Sequence, residues 1–145
     1  MNPLSIRIPE VELKDLARMR AFVMESTMML GGNTEAASEL KIAVNEALTN
    51  IIIHGYQGKP GFIEIFVERD TNDIRLSLLD NAAAFDPTSV KPPDITIPLE
   101  QRPIGGMGIQ MMRSFTDELD YRPTADGMNE LIFIKRNAII RSAIP

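Results

Sequence analysis

One segment near the middle of the chain restricts the fold more than any other. From Asn33 or Thr34 to about Gly55 the sequence reads as a single helix, with a polar cap before it and a glycine to stop it. Most of its second half is apolar: Ile42, Ala43, Val44, Ala47, Leu48, Ile51, Ile52 and Ile53. Set into this stretch are Glu46, Asn50 and His54, at i, i+4 and i+8, which a helix brings to one side, one turn apart. An unpaired polar group buried in such surroundings costs about 1–3 kcal/mol. A magnesium ion and a reacting proton beside a nucleotide would supply the missing partners. A polar stripe at the helix surface would need none, so the pattern has two readings when taken alone.

The flanking elements follow from periodicity. Leu4–Ile8 alternates and predicts a short strand, ended by Pro9. Val11 to Leu30 predicts a helix with apolar positions Leu13, Leu16, Met19, Phe22, Val23 and Met28, closed by Gly31-Gly32. Phe62–Glu68 and Ile74–Leu79 predict two strands, joined as a hairpin by the turn residues Asp70-Thr-Asn-Asp73. Ile109 to Phe115 predicts a helix. Glu118–Arg122 and Leu131–Lys135 predict a closing hairpin that turns at Ala125-Asp-Gly127, while Asn137 to Pro145 carries no clear pattern. Strands that pair as hairpins, with helices grouped between them, predict an α+β fold: a two-layer sandwich with a mixed, mostly antiparallel sheet and helices on one face.

Composition narrows the function classes. The chain has 145 residues, 44% apolar and 24% charged, which predicts one domain over 1–145. A net charge of −5 argues against direct nucleic-acid binding. The lack of cysteine excludes disulfides and thiolate metal sites, and a single His excludes a His-rich one. No apolar run suits a membrane span, and the start has no signal-peptide core, so a cytoplasmic protein is expected. The nine methionines suit core gaps or an adaptable protein-binding surface.

Two further constellations lie downstream. In Leu78-Leu-Asp80-Asn-Ala-Ala-Ala-Phe-Asp86-Pro87 a carboxylate ends an apolar strand. There it can accept a hydrogen bond from the exocyclic amine of adenine, or simply close a local turn. From Asp80 to Gly108 regular periodicity is lost, and the stretch holds five prolines and three glycines. Its end, Arg102-Pro-Ile-Gly-Gly-Met-Gly-Ile109, leads into a helix, where backbone N–H groups and the helix dipole favour an anion. A glycine hinge is the plainer reading. The loop is not a P-loop, since no Gly-Lys-Ser/Thr follows, and it lacks the strand that precedes a dinucleotide fingerprint.

The three constellations come in one order, which resembles the ATP-binding domain shared by histidine kinases, gyrase B and MutL. Within that group the chain is similar to the bacterial anti-sigma-factor serine kinases of the RsbW and SpoIIAB type. Asn45 to Tyr56 resembles their N box, Asp80 to Pro87 their first glycine box, and Pro103 to Met112 their second. The resemblance implies the Bergerat-type ATP-binding fold and a protein serine kinase that uses ATP and magnesium. In it Glu46 is the catalytic base and Asn50 the magnesium ligand. Asp80 binds adenine. Ala82, Phe85, Gly105, Gly106, Met107 and Gly108 border the nucleotide, with His54 near phosphate. It further implies an ATP lid over roughly 82–108, with Pro87–Arg102 its mobile part, and a homodimer. The implied partners are a sigma factor or other regulated protein and a STAS-type anti-anti-sigma antagonist. Arg18 is a candidate partner contact that equally suits a solvated helix surface.

Two positions depart from the family pattern. Ala82 stands where the first glycine box has Gly, which is expected to weaken nucleotide binding if that position needs positive φ. Asn129-Glu-Leu-Ile132 stands where the final strand often has Thr. These departures motivate a second expectation, a nucleotide-gated partner-switch module with little kinase activity. A sensor-kinase fragment is disfavoured, because the only His lies in the N box.

Overall fold

The strands form where the sequence alternates, and their register sorts the side chains into two faces. A computed structural model describes residues 3–83, 86, 88, 96 and 106–141. Its strands are β1 (Leu4–Ile8), β2 (Ile63–Asp70), β3 (Asp73–Asp80), β4 (Glu118–Pro123) and β5 (Asn129–Lys135), in the sheet order β1-β2-β3-β5-β4. Every pairing is antiparallel, so among the described residues the expected mixed component is absent. Directly opposed residues share a face. Ile6, Ile65, Leu78, Leu131 and Tyr121 therefore form one cross-strand row, and Leu4, Val67, Leu76, Phe133 and Leu119 another. This is the core face.

The opposite face carries Arg7, Glu64, Glu68, Arg75, Asp120 and Arg122 around Phe66, Leu79 and Ile132. Pairs such as Arg75–Glu68 (3.1 Å) and Arg7–Glu64 (3.7 Å) are solvent-accessible, each worth about 0–1 kcal/mol.

Helices α1 (Leu16–Met29), α2 (Thr34–Asn50) and α3 (Gly106–Ser114) supply the second layer. Met19 and Val23 of α1, Leu40, Val44 and Leu48 of α2, and Ile109 and Met112 of α3 join the sheet residues in one buried cluster. The expected start of α1 at Val11 is early by more than a turn: the α-helix begins at Leu16, and Leu13–Asp15 is a 3-10 turn, closed by a bond from the Glu12 amide to Asp15 Oδ2 (2.8 Å). Leu13 and Met28 of the expected apolar stripe are exposed. Gly31, at φ 93°, ends α1 as expected, and Asn33 is the cap of α2, its Oδ1 accepting from the Ala36 amide (2.7 Å).

The tail without a sequence assignment has a structural job. Ala138 accepts from the Asn33 amide (2.7 Å) and donates to the Asn72 carbonyl (2.8 Å), while the Ile140 amide donates to Gly31 (2.8 Å). It ties the α1–α2 corner to the β2–β3 turn.

Gly61 sits against the ring of Tyr56. A Cβ there would stand 2.1 Å from the ring's Cε1. Gly61→Ala must displace the buried ring or the strand entry, at a cost of about 1–3 kcal/mol. The urea midpoint is expected to fall with an unchanged slope; an unaltered midpoint would show that the ring is free to move.

Candidate functional site

Helix α2 brings Glu46 and Asn50 to its final turns, both half-buried. Among the described residues no fully buried side-chain nitrogen or oxygen lacks a hydrogen-bond partner, so neither group bears the burial penalty that the apolar sequence suggested. The apolar neighbours Ala43, Val44, Ala47 and Leu48 turn to the core, and the two polar groups flank it. After Asn50 the helix widens into a π turn, Ile51–Gly55, in which the Tyr56 amide reaches back five residues to the Ile51 carbonyl (2.7 Å). The strict four-residue spacing ends there. His54 lies in this turn, exposed to solvent.

Tyr56 joins the helix end to the sheet. Its hydroxyl lies 2.5 Å from the Phe62 carbonyl and 2.9 Å from Asn81 Oδ1, and it accepts from the Asn81 amide at 3.0 Å. Burial pushes this hydroxyl up to about 12, so it stays protonated and able to donate at neutral pH. Asn81 follows Asp80 directly, so one side chain couples α2 to the end of β3.

Asp80 ends β3 on the core face and is 5% exposed. Its Oδ1 accepts from the Ala82 amide and from Asn129 Nδ2, each at 2.9 Å. Burial holds the carboxyl above its ordinary value, and the Asn129 and Ala82 hydrogen bonds pull it back. Asn129 Nδ2 also donates to the Ala82 carbonyl (3.0 Å), and its Oδ1 accepts from the Tyr121 hydroxyl (2.7 Å). The Tyr121 hydroxyl is itself raised, first by burial and then by the charges of Asp86 and Asp80.

Ala82 is not among the residues with positive φ, so the expected backbone strain is absent. Its methyl faces Gly55, where a Cβ would stand 2.9 Å from it.

Helix α3 starts at Gly106 rather than at the expected Ile109, so Gly106, Met107 and Gly108 occupy its first turn. Their backbone N–H groups belong to the four that an α-helix leaves unpaired at its start. Ile109 and Met112 anchor this helix in the core. Arg113 donates to the Thr88 carbonyl, and Thr88 in turn is held by Asp86 Oδ1 through its amide (2.8 Å) and hydroxyl (2.5 Å). Phe85, Gly105 and most of the expected lid lie outside the described residues.

No group of three or more His, Cys, Asp or Glu side chains is placed to hold a metal among the described residues. Asn50 beside Glu46 offers only hard oxygen donors, which suit magnesium, an ion that takes few protein ligands and completes its shell with phosphate and water. No described helix is long and apolar enough to cross a membrane.

Sequence reasoning missed Tyr56, Asn81, Tyr121 and Arg113. For Tyr121 the signal exists only once register is known, since Asp80 opposes Asn129 and Tyr121 neighbours it across the hairpin. For Tyr56 the apolar context concealed the hydroxyl.

Comparison with known proteins bears on this arrangement. A family model described as the histidine kinase-like ATPase domain matches residues 10–135. A serine/threonine-protein kinase, BtrW, from Bordetella bronchiseptica is 33% identical over 100 residues, which is 68% of this chain and 70% of that protein. An anti-sigma F factor from a Thermoanaerobacter species is 35% identical over 106 residues, 72% of this chain and 73% of that one. The serine-protein kinase RsbW of Bacillus thuringiensis is 30% identical over 113 residues, 74% and 70%. A solved structure of the RsbU and RsbW domains of a Mycobacterium tuberculosis protein has a TM-score of 0.64 at 16% identity; it covers 97% of this chain, which spans only 34% of that longer one, and shows the shared fold.

The buried Asp80 sets a testable pH dependence. Its folded-state value lies above the ordinary 3.8, so protonation favours the fold. That contribution is whole below the ordinary value and is lost as pH rises through the raised one. Asp80→Asn keeps a single oxygen for both donors and removes the charge. The variant's melting temperature is expected to match or exceed wild type near pH 7, with the gap closing toward pH 4. A variant that is less stable by the same margin at both pH values would refute a charge penalty at Asp80.

Proposed function

The chain belongs to the histidine kinase-like ATPase family, in the branch of the anti-sigma-factor serine kinases, and we propose that it is an ATP- and magnesium-dependent protein serine kinase of a cytoplasmic partner-switching pathway. It sequesters a sigma factor or another regulated protein as a homodimer and phosphorylates a STAS-type anti-anti-sigma antagonist. The observation that carries this reading is the coupling, through Tyr56, of the helix bearing Glu46 and Asn50 to the strand end bearing Asp80.

Each residue has a role in this reading. Asp80 accepts the adenine amine, with Ala82 and Phe85 beside the base. The backbone N–H groups of Gly105, Gly106, Met107 and Gly108 receive phosphate oxygens at the start of α3, and His54 approaches them from the end of the π turn. The Asn50 amide oxygen holds magnesium, which when bound neutralises phosphate charge. Glu46 takes the proton from the acceptor serine hydroxyl as that oxygen bonds to the γ-phosphorus. The phosphoanhydride bond breaks and ADP departs with its electron pair. Such transfer needs positioning and charge neutralisation more than covalent help, which a base, an amide oxygen and a glycine-rich helix start provide.

The unstrained backbone at Ala82 and its fit against Gly55 support this reading over a module that binds nucleotide without transferring phosphate. The deciding assay incubates the protein with labelled ATP, magnesium and the STAS protein encoded nearest to its gene. Glu46→Ala is expected to slow label transfer by about 10²–10⁴-fold while leaving the Kd for ATP within about threefold. Asn50→Ala should abolish the magnesium dependence of ATP binding. Transfer that survives Glu46→Ala would remove Glu46 as the base. Tight ATP binding by wild type with no transfer to any STAS partner would favour the binding module.

A further inference from the structure

The side-chain amide of Asn129 is fully committed. Opening β5 directly opposite Asp80, it is 8% exposed. One Nδ2 proton goes to Asp80 Oδ1 (2.9 Å), the other to the Ala82 carbonyl (3.0 Å), while Oδ1 takes the Tyr121 hydroxyl (2.7 Å). The orientation is forced, because a carbonyl only accepts and must face the amide nitrogen. No donor remains on Asn129 for a ligand.

The consequence falls on Asp80. Its Oδ1 is occupied by two donors, Asn129 Nδ2 and the Ala82 amide. Its Oδ2 takes no hydrogen bond from the described residues, and since no buried side-chain oxygen among them lacks a partner, Oδ2 keeps solvent contact. A carboxylate's terminal torsion is soft, with two equivalent settings. The Ala82 amide alone could be served by either oxygen. Asn129, bridging Oδ1 and the Ala82 carbonyl, sets the carboxylate plane against the loop, and Tyr121 sets Asn129.

We propose that Asn129, held by Tyr121, is a positioning residue that presents Asp80 Oδ2 to the 6-amino group of a purine nucleotide and so selects 6-aminopurines over 6-oxopurines. A 6-oxo group would place an oxygen against the carboxylate oxygen with no proton between them. The inference rests on the nucleotide-binding reading and assigns to that site its base selectivity.

Titration calorimetry on the full chain tests it with ATP, ITP and purine riboside triphosphate, which lacks any 6-substituent. Wild type is expected to prefer ATP to purine riboside triphosphate by about tenfold or more, as a charged hydrogen bond allows. In Asn129→Ala that ratio should collapse to within about threefold, while the Kd of purine riboside triphosphate changes by less than about threefold. Tyr121→Phe removes only the hydroxyl of a half-buried ring and should lower the ratio partway, which keeps the test open if Asn129→Ala does not fold. In the kinase assay both variants should raise the KM for ATP with kcat preserved. A ratio that persists in Tyr121→Phe and in folded Asn129→Ala would reduce Asn129 to a structural role and overturn the proposal. If wild type binds no purine nucleotide, or Asp80→Asn leaves the ratio intact, the base-site reading fails first and this inference with it.

Discussion

The hydroxyl of Tyr56 is the contact on which the site's geometry depends. The hydrophobic layer between α2 and the sheet is large but non-directional, and it tolerates small slides of helix over strand. A hydrogen bond does not. Tyr56 closes the π turn through its amide, meets Phe62 at the entry to β2 and Asn81 at the exit of β3. It thus locks the helix that carries Glu46 and Asn50 to the strand end that carries Asp80. The same burial that raises the hydroxyl to about 12 keeps it a donor across the physiological range. The absent side chain at Gly61 makes room for the ring. An apparently generic glycine and an aromatic residue thereby set the relative placement of groups that lie 34 residues apart in sequence, from Glu46 to Asp80.

The two halves of the site are built on different principles. On the sheet side, polar groups are engaged with one another: Asp80, Ala82, Asn129 and Tyr121 form a connected network before any ligand is present. Such preorganisation lowers the ordering cost at binding, at the expense of holding a carboxylate in a site that disfavours its charge. On the helix side, Glu46 and Asn50 stay half-buried. On the proposed reading these are the groups that exchange a proton and join a metal's shell, and they gain from that freedom. Asp86 secures Thr88, Arg113 of α3 reaches the same residue, and the buried Ile109 and Met112 fix α3 on the core.

The fold was largely legible because its strands alternate and its turns carry turn residues. β1 matches the expected Leu4–Ile8, and both hairpins form where Asp70–Asp73 and Ala125–Gly127 placed them. What the sequence concealed was non-local. The π turn is closed by five-residue backbone bonds such as that from the Tyr56 amide to Ile51, which propensity does not encode. The start of α3 shifted into the glycines because Ile109 and Met112 dock on the core, and tertiary packing outweighs the poor helix propensity of glycine there. Asp80 was singled out correctly as a strand-ending carboxylate. The residues that orient it were not, because Asn129 and Tyr121 meet it only through the sheet's register. Of the two readings of Glu46 and Asn50, the structure favours neither extreme: the helix's apolar residues fill the core face, and the half-buried polar pair sits beside that face.

Ala82 shows why a departure from a family pattern has to be judged in three dimensions. A glycine can occupy a position because the backbone needs positive φ or because a side chain would strike a neighbour. At residue 82 the first reason does not hold, since the backbone is ordinary. The second is met by complementarity: the methyl lies toward Gly55, and it is a Cβ at 55 that would come within 2.9 Å of it. The methyl therefore fills the gap between the π turn and the strand end. Both polar atoms of the Ala82 peptide remain engaged, the amide with Asp80 and the carbonyl with Asn129. The Ala82 methyl thus adds a contact at the junction that Tyr56 already holds, and the hydrogen-bond network beside it engages only Oδ1 of Asp80.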